Sequence, residues 1–192
     1  MKRYSLTTTL LLLALLLTGC DNAEQEYSME YPVSFTFNTS LHPASLLTRL
    51  RENSNAFVIV EATNRQGAWQ LDMTSNNGKE TERILLTTDR ENNSVRSMGA
   101  DNSLIIGCLF GATANDSPYL YVAYDRQCRY CLENGSTRHA PLSFSSNGLS
   151  VTCAKCNRTY ALVTGTSNDG QRLYTYHARY ETAGGLLSVT NR

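Results

Sequence analysis

The chain carries no excess of charge of either sign. Its 17 Lys and Arg residues balance its 17 Asp and Glu residues, and charged residues make up only 18% of the sequence. The basic residues are scattered rather than gathered into the stripe that nucleic-acid-binding surfaces require. The sequence therefore predicts no nucleic-acid partner and gives no indication of an acidic one.

The residue patterns that mark common enzyme sites are also lacking. No Ser-His-Asp arrangement, carboxylate pair or phosphate-binding loop can be identified in the sequence. We therefore do not expect an enzyme. The alternative, an electron-transfer role, would make the protein an oxidoreductase.

The apolar segment at the N-terminus is too short to cross a bilayer. Residues 10–17 are Leu except for Ala14, and they follow Lys2 and Arg3, so residues 1–19 predict a signal peptide. The segment ends in Leu17-Thr18-Gly19-Cys20, which resembles a bacterial lipobox. That resemblance implies cleavage before Cys20 and lipid attachment to Cys20.

A lipidated Cys20 would anchor the protein to a membrane without crossing it. We therefore expect a lipoprotein of the bacterial cell envelope, at the outer membrane or cell surface rather than at the inner membrane. Residues 20–30 would hold the lipidated cysteine and a polar tether, and residues 31–192 a single domain. The sequence does not name a protein or glycan partner.

Short strands bounded by turn residues predict an all-β fold. Apolar and polar residues alternate at 31–38, 119–124 and 173–180, which is typical of half-buried strands, whereas 57–60 and 104–110 are continuously apolar and predict buried strands. Further strands are predicted at 68–73, 83–88, 142–144, 149–152, 159–163 and 186–190.

Two segments are predicted to lie outside the strands. Residues 43–51 predict a short amphipathic helix, because Leu46, Leu47 and Leu50 would share one face. Residues 89–102 are polar and predict a loop. The stretch 61–103 as a whole is the least regular part of the chain, and we interpret it as an insertion.

Four of the six cysteines form two Cys-x-x-Cys pairs. Cys128-Arg129-Tyr130-Cys131 and Cys153-Ala154-Lys155-Cys156 are separated by 21 residues. Two residues between cysteines let one tight turn direct both sulfurs at a single ion, and two turns on neighbouring hairpins would complete a tetrahedron. The spacing therefore predicts one metal centre with Cys128, Cys131, Cys153 and Cys156 as ligands.

Two disulfides are a competing interpretation of the same four cysteines, because the envelope is oxidising in many bacteria. A disulfide that closes a loop of this size contributes roughly 3 kcal/mol, and a preformed four-cysteine metal site can contribute on the order of 10 kcal/mol. The energies alone leave both interpretations open. A disulfide-stapled β module would bind a surface partner or a glycan.

From residue 104 onward the chain resembles Rieske-type [2Fe–2S] domains, especially the degenerate Rieske-like lipoproteins of Bacteroidetes. The resemblance is carried by Tyr121-Val122-Ala123-Tyr124-Asp125-Arg126-Gln127-Cys128, Leu142-Ser143-Phe144, the stretch from Cys153 to Tyr160, and Leu173-Tyr174-Thr175-Tyr176-His177-Ala178-Arg179-Tyr180. It implies stacked antiparallel sheets with a small cap, similar to rubredoxin and zinc ribbons, and this cap with its flanking strands would span residues 119–180.

The ligand positions depart from the Rieske pattern. A Rieske site uses Cys-x-His and Cys-x-x-His, with two histidines on one iron. Here Tyr130 stands where the first histidine would be and Cys156 where the second would be, so four cysteines replace two cysteines and two histidines. His42, His139 and His177 lack ligand spacing, and we expect them to be structural or exposed.

Zinc, a single iron and an all-cysteine [2Fe–2S] cluster are all chemically possible at four thiolates. Lys2-Arg3 is not a twin-arginine motif, so the chain is expected to cross the membrane unfolded. A cluster assembled in the cytoplasm would be lost on that route, whereas zinc can bind afterwards. We therefore expect structural zinc, with iron, an iron–sulfur cluster or disulfides as the alternatives.

Overall fold

A computed structural model of the chain describes residues 27–53, 55–78, 80–111, 118–135 and 139–191. The predicted signal peptide and Cys20 lie outside these residues. No helix in this part of the chain has the length and apolar character needed to span a membrane.

The described residues form a mostly β structure, which confirms the predicted all-β class. Two short α-helices are present, α1 (Asp89–Ser94) and α2 (Arg129–Asn134), with 3-10 turns at Thr48–Glu52 and Gly99–Asp101. The strands are β1 (Val33–Asn38), β2 (Ala56–Arg65), β3 (Ala68–Ser75), β4 (Thr81–Leu85), β5 (Val95–Met98), β6 (Ser103–Phe110), β7 (Tyr119–Asp125), β8 (Leu142–Phe144), β9 (Ser150–Cys153), β10 (Thr159–Ala161), β11 (Thr166–Ser167), β12 (Thr175–Glu181) and β13 (Leu186–Thr190).

These strands form two antiparallel sheets. The larger sheet has nine strands in the order β4-β3-β2-β6-β7-β12-β13-β1-β5, and it curls. The smaller sheet has four short strands in the order β11-β10-β9-β8. We call the smaller sheet, together with α2, the cap. The cap is inserted between β7 and β12, which are neighbours in the larger sheet.

Strands β2 and β6 of the curled sheet are buried on both faces, which explains their continuously apolar segments. Val58 and Val60 of β2 pack inside the curl in one cluster, which we call the sheet core, whereas Phe57 and Ile59 pack against the cap in a second cluster, the cap core. Strand pleating sends successive side chains to opposite faces. All nine strands of the curled sheet contribute to the sheet core, including the edge strands β4 and β5.

The predicted helix at 43–51 is wrong in type and extent. Only Thr48–Glu52 is helical, as a 3-10 turn, although Leu46, Leu47 and Leu50 are buried as expected. The amide of Leu46 donates to the Glu82 side chain at 2.8 Å, so a long-range contact helps to hold this segment in place. Tertiary packing thus overrides the local periodicity.

The predicted loop at 89–102 is also wrong, because it contains α1 and β5. A capping box opens α1, with Thr88 and Glu91 each accepting the other's backbone N–H. Strand β5 then pairs with β1 at the edge of the curled sheet. Residues 61–103 thus supply all or part of five strands of the sheet. Whether they are an insertion relative to other proteins stays a prediction.

The first described residues are fixed against the C-terminal end of the fold. The amide of Ser28 donates to the carbonyl of Thr175 at 2.7 Å, and the ring of Tyr31 packs edge-on against Tyr174. The side chain of Asn191 donates to the carbonyls of Ser28 and Tyr31, at 2.7 and 2.8 Å. The first described residues therefore lie beside β12, close to the last strand.

The packing of Phe57 against β6 predicts that Gly107→Ala destabilises the fold. Gly107 pairs directly with Phe57, and a Cβ at Gly107 would come within 2.2 Å of the Phe57 ring. We expect a loss of about 1–3 kcal/mol in the free energy of unfolding, typical of overpacking, measured by denaturant titration. Gly184→Ala is the control, because its Cβ would meet Leu186 at an ordinary 3.4 Å. Equal stability of the two variants would contradict this account.

Candidate metal centre

The chain reaches the first cysteine pair through a buried polar network at the end of β7. The carboxylate of Asp125 accepts hydrogen bonds from the amides of Gln127 and Ala100 and from the hydroxyl of Tyr176, at 2.7, 2.8 and 2.8 Å. Burial outweighs these bonds and raises the pKa of Asp125 to about 6. The Gln127 side chain accepts from the amide of Ala140 at 2.6 Å. The backbone that leads to Cys128 is thereby fixed.

The first pair lies at the start of a helix rather than on a hairpin. Cys128 is the N-cap residue of α2, and Cys131 lies in its first turn, with the Leu132 amide bonded to the Cys128 carbonyl at 3.1 Å. The expectation of two hairpin turns is therefore wrong for this pair. One helical turn brings residues three apart to the same side, so the helix directs both sulfurs at one point.

The second pair forms the predicted hairpin turn between β9 and β10. The Cys153 amide donates to the Arg158 carbonyl at 2.9 Å, and the Asn157 amide donates to the Cys153 carbonyl at 2.8 Å. Asn157 has φ of 57°, in the left-handed region where asparagine is among the best tolerated residues after glycine.

The two pairs bring their sulfurs together in the cap core, and we call Cys128, Cys131, Cys153 and Cys156 the cysteine cluster. All four sulfurs lie within 4.8 Å of one another. Sγ of Cys128 lies 3.6 Å from Sγ of Cys156, and Sγ of Cys131 lies 3.7 Å from Sγ of Cys153. Tetrahedral zinc, with Zn–S bonds of about 2.3 Å, places its sulfurs about 3.8 Å apart.

All four cysteines are free thiols, and their separations far exceed the S–S bond of about 2.05 Å in a disulfide. Cys128, Cys131 and Cys153 are buried, and Cys156 is partly exposed. The arrangement therefore fits a single ion surrounded by four thiolates. It leaves no ligand position open, because a tetrahedral ion is saturated by four ligands.

The surroundings shift the pKa values of three of these thiols, and not all in the same direction. Burial raises the pKa of Cys128 and of Cys131, and the neighbouring thiols raise that of Cys131 further. Burial also opposes ionisation of Cys153, but hydrogen bonds from the amides of Cys156 and Lys155 outweigh it and lower the pKa of the Cys153 thiol. A divalent cation would reverse the penalty on Cys128 and Cys131, because it binds the thiolate form.

Several side chains that the sequence analysis did not single out surround the cluster. The buried hydroxyl of Tyr160 lies 3.5 Å from Sγ of Cys128, and burial raises the pKa of that phenol. The guanidinium of Arg158 lies 3.9 Å from the centre of the Tyr130 ring and pairs with Asp169 at 2.8 Å. Strand alternation shows which face Tyr160 occupies, but no local pattern could have placed it against Cys128.

The three histidines lie outside the cluster, as expected. His42 pairs with Glu91 at 2.7 Å, His139 contacts Asp101 at 2.5 Å, and the ring of His177 stacks on Tyr27. Cys108 is buried in the sheet core, as its place in an apolar strand predicted. Cys20, the predicted lipidation site, lies outside the described residues.

The helix α2 is joined to the surrounding fold by polar and aromatic contacts. Glu133 accepts from Arg129 at 2.7 Å and from the hydroxyl of Tyr174 at 3.2 Å. The guanidinium of Arg129 also lies 4.9 Å from the centre of the Tyr174 ring. The first cysteine pair is therefore attached to the same part of the fold that holds the N-terminal segment.

No protein-family model, curated protein or solved structure matches this chain. The function proposed below is therefore based on the geometry of the cysteine cluster.

The left-handed conformation of Asn157 predicts the effect of two substitutions. Asn157→Ala should lower the free energy of unfolding by about 1 kcal/mol, because a Cβ without a compensating polar group is disfavoured in this region. Asn157→Gly should be neutral or stabilising by comparison. Thermal unfolding of the two variants checks the order, and an alanine variant as stable as the glycine variant would contradict it.

Proposed function

We propose that this protein holds one zinc ion through Cys128, Cys131, Cys153 and Cys156, and that the ion has a structural rather than a catalytic role. The observation that supports the proposal is the convergence of four free thiols, from two separate elements, within 4.8 Å of one another. Zinc fits a closed site of four thiolates, and such a site offers no position for a substrate.

The cap is the part of the fold that the ion would stabilise. Its strands have only two to four residues, and its helix has six. Elements of this length are marginal without tertiary support. An ion shared by α2 and the β9–β10 turn would cross-link them, and structural zinc sites contribute on the order of 10 kcal/mol.

The second candidate is electron transfer through iron at the same cysteines. A single iron suits the cluster because all four sulfurs surround one point. A [2Fe–2S] cluster suits it less well, because two irons and two sulfides would separate the cysteines into two pairs. Bound iron would give visible absorbance and a reversible redox signal, whereas bound zinc gives neither.

We further propose that the protein is a Rieske-like lipoprotein of the bacterial envelope, anchored through Cys20. Support for the Rieske relationship comes from the order of the matching segments: a strand leads to the first pair, a hairpin precedes the second, and a tyrosine-rich strand follows. Support for the anchor comes from the lipobox-like sequence that ends at Cys20. A glycan or protein partner is not assigned.

The metal proposal predicts about one zinc per chain in protein purified from envelope membranes, measured by elemental analysis. Cys131→Ser should lower the zinc affinity by more than the 10- to 100-fold typical of changes around a ligand, because it removes a ligand itself. Cys108→Ser is the matched control and should keep the metal, since Cys108 lies in the other core.

Iron at the same stoichiometry would support the electron-transfer alternative. A chain without metal, in which the four cysteines resist alkylation until a reductant is added, would instead indicate a disulfide-stapled module.

The anchor proposal predicts that Cys20→Ala abolishes lipid attachment. Labelling with a radioactive or clickable fatty acid should mark the wild-type chain and leave the variant unmarked. Cys108→Ser is the control and should be labelled as the wild type is. A Cys20→Ala chain that still carries lipid would contradict the proposal.

A further inference from the structure

The cysteine cluster has one partly exposed residue and three buried ones, and two pairs of its sulfurs lie close together in a crossed arrangement. From this geometry we propose that the cluster is an oxidation site. A hydroperoxide would convert it into two disulfides, Cys128–Cys156 and Cys131–Cys153, and the bound ion would be released. The release rests on the proposed metal site, whereas the pairing rests on the sulfur positions alone.

The proposed pairing joins sulfurs that lie less than 4 Å apart across the two elements. Sγ of Cys128 lies 3.6 Å from Sγ of Cys156, and Sγ of Cys131 lies 3.7 Å from Sγ of Cys153. Each of these contacts joins α2 to the β9–β10 turn. Closing either bond requires the two sulfurs to approach by less than 2 Å, because a disulfide has an S–S length of about 2.05 Å.

The exposure of the cysteines determines which disulfide forms first. Cys156 is the most exposed member of the cluster, since Cys128 and Cys153 are fully buried and Cys131 is only 8% exposed. Oxidation of cysteine follows thiolate character and accessibility. We therefore infer that Cys156 reacts first and that its neighbour Cys128 completes the first disulfide.

Formation of the two disulfides consumes two equivalents of peroxide. The Cys156 thiolate attacks one peroxide oxygen, which breaks the O–O bond, forms a sulfenic acid and releases hydroxide. The Cys128 thiolate then attacks the Cys156 sulfur and displaces a second hydroxide. A second peroxide oxidises Cys131 and Cys153 in the same way. Four electrons pass from sulfur to oxygen, and no thiolate is left to hold a cation.

The crossed disulfides would also preserve the connection that the ion provides. Each joins α2 to the β9–β10 turn, so the cap would stay cross-linked after the ion leaves. Disulfides within each Cys-x-x-Cys pair would close only four-residue loops and would leave the helix and the hairpin unconnected. The crossed disulfides and the disulfides within each Cys-x-x-Cys pair therefore differ in their effect on the cap.

Trypsin separates the four cysteines into four different peptides, which makes the pairing directly readable. Cleavage after Arg126, Arg129, Arg138, Lys155 and Arg158 gives peptides 127–129, 130–138, 139–155 and 156–158, with one cysteine in each. Mass spectrometry without reduction therefore distinguishes all three possible connectivities.

The experiment uses the full zinc-loaded chain, treated with two equivalents of hydrogen peroxide. We expect release of about one zinc per chain, measured with a chromogenic chelator, and disulfide-linked peptides 127–129 with 156–158 and 130–138 with 139–155. Dimedone added with substoichiometric peroxide should label peptide 156–158 first. A reductant should restore zinc binding.

Two variants test the pairing further. Cys131→Ser should still form the 128–156 disulfide, because that pair does not need the other, and Cys108→Ser should behave as the wild type. Disulfides within each Cys-x-x-Cys pair, or sulfinic acid at Cys156 with zinc retained, would overturn the proposal. A chain that never binds zinc but forms the crossed pairs would contradict the proposed function and support the pairing.

Discussion

The convergence of four thiols on one point is the constraint on which the cap depends. The cap has short strands and a six-residue helix, and its core contains three of the four cysteines among its buried residues. The sulfurs come from a helix start and a hairpin turn that are separated in sequence and joined in space. An ion at their centre would supply the connection that hydrogen bonds between such short elements cannot supply alone.

The larger sheet provides the fixed surface on which this cap is built. Strands β2, β6 and β7 carry apolar side chains on both faces, one set in the sheet core and the other in the cap core. The hydroxyl of Tyr124 reaches across from β7 to the carbonyl of Leu162 in the cap, at 2.9 Å. Folding of the sheet and placement of the cysteines are therefore coupled through shared strands.

Much of this arrangement could be predicted from the sequence, because strand alternation and turn residues act locally. The alternating segments became β1, β7 and β12, and the Cys-x-x-Cys spacing identified the cluster. The helical periodicity at 43–51 predicted the buried leucines but not the backbone, because Leu46, Leu47 and Leu50 reach the sheet core without a regular helix. The helix at the first pair was not predicted, because the Cys-x-x-Cys spacing fits a hairpin turn and a helical turn equally well. Tyr160 was missed because its neighbour Cys128 is 32 residues away.

The position of the N-terminal segment bears on where the cluster would operate. Tyr31 packs against Tyr174, and Tyr174 contacts Arg129 and Glu133 of the helix that carries the first pair. Seven peptide units separate Cys20 from Tyr27, so their Cα atoms can be at most about 25 Å apart. If Cys20 carries the proposed anchor, the thiols would be confined to the layer of water next to the lipid headgroups, and only small diffusible reactants or partners in that same layer would reach them.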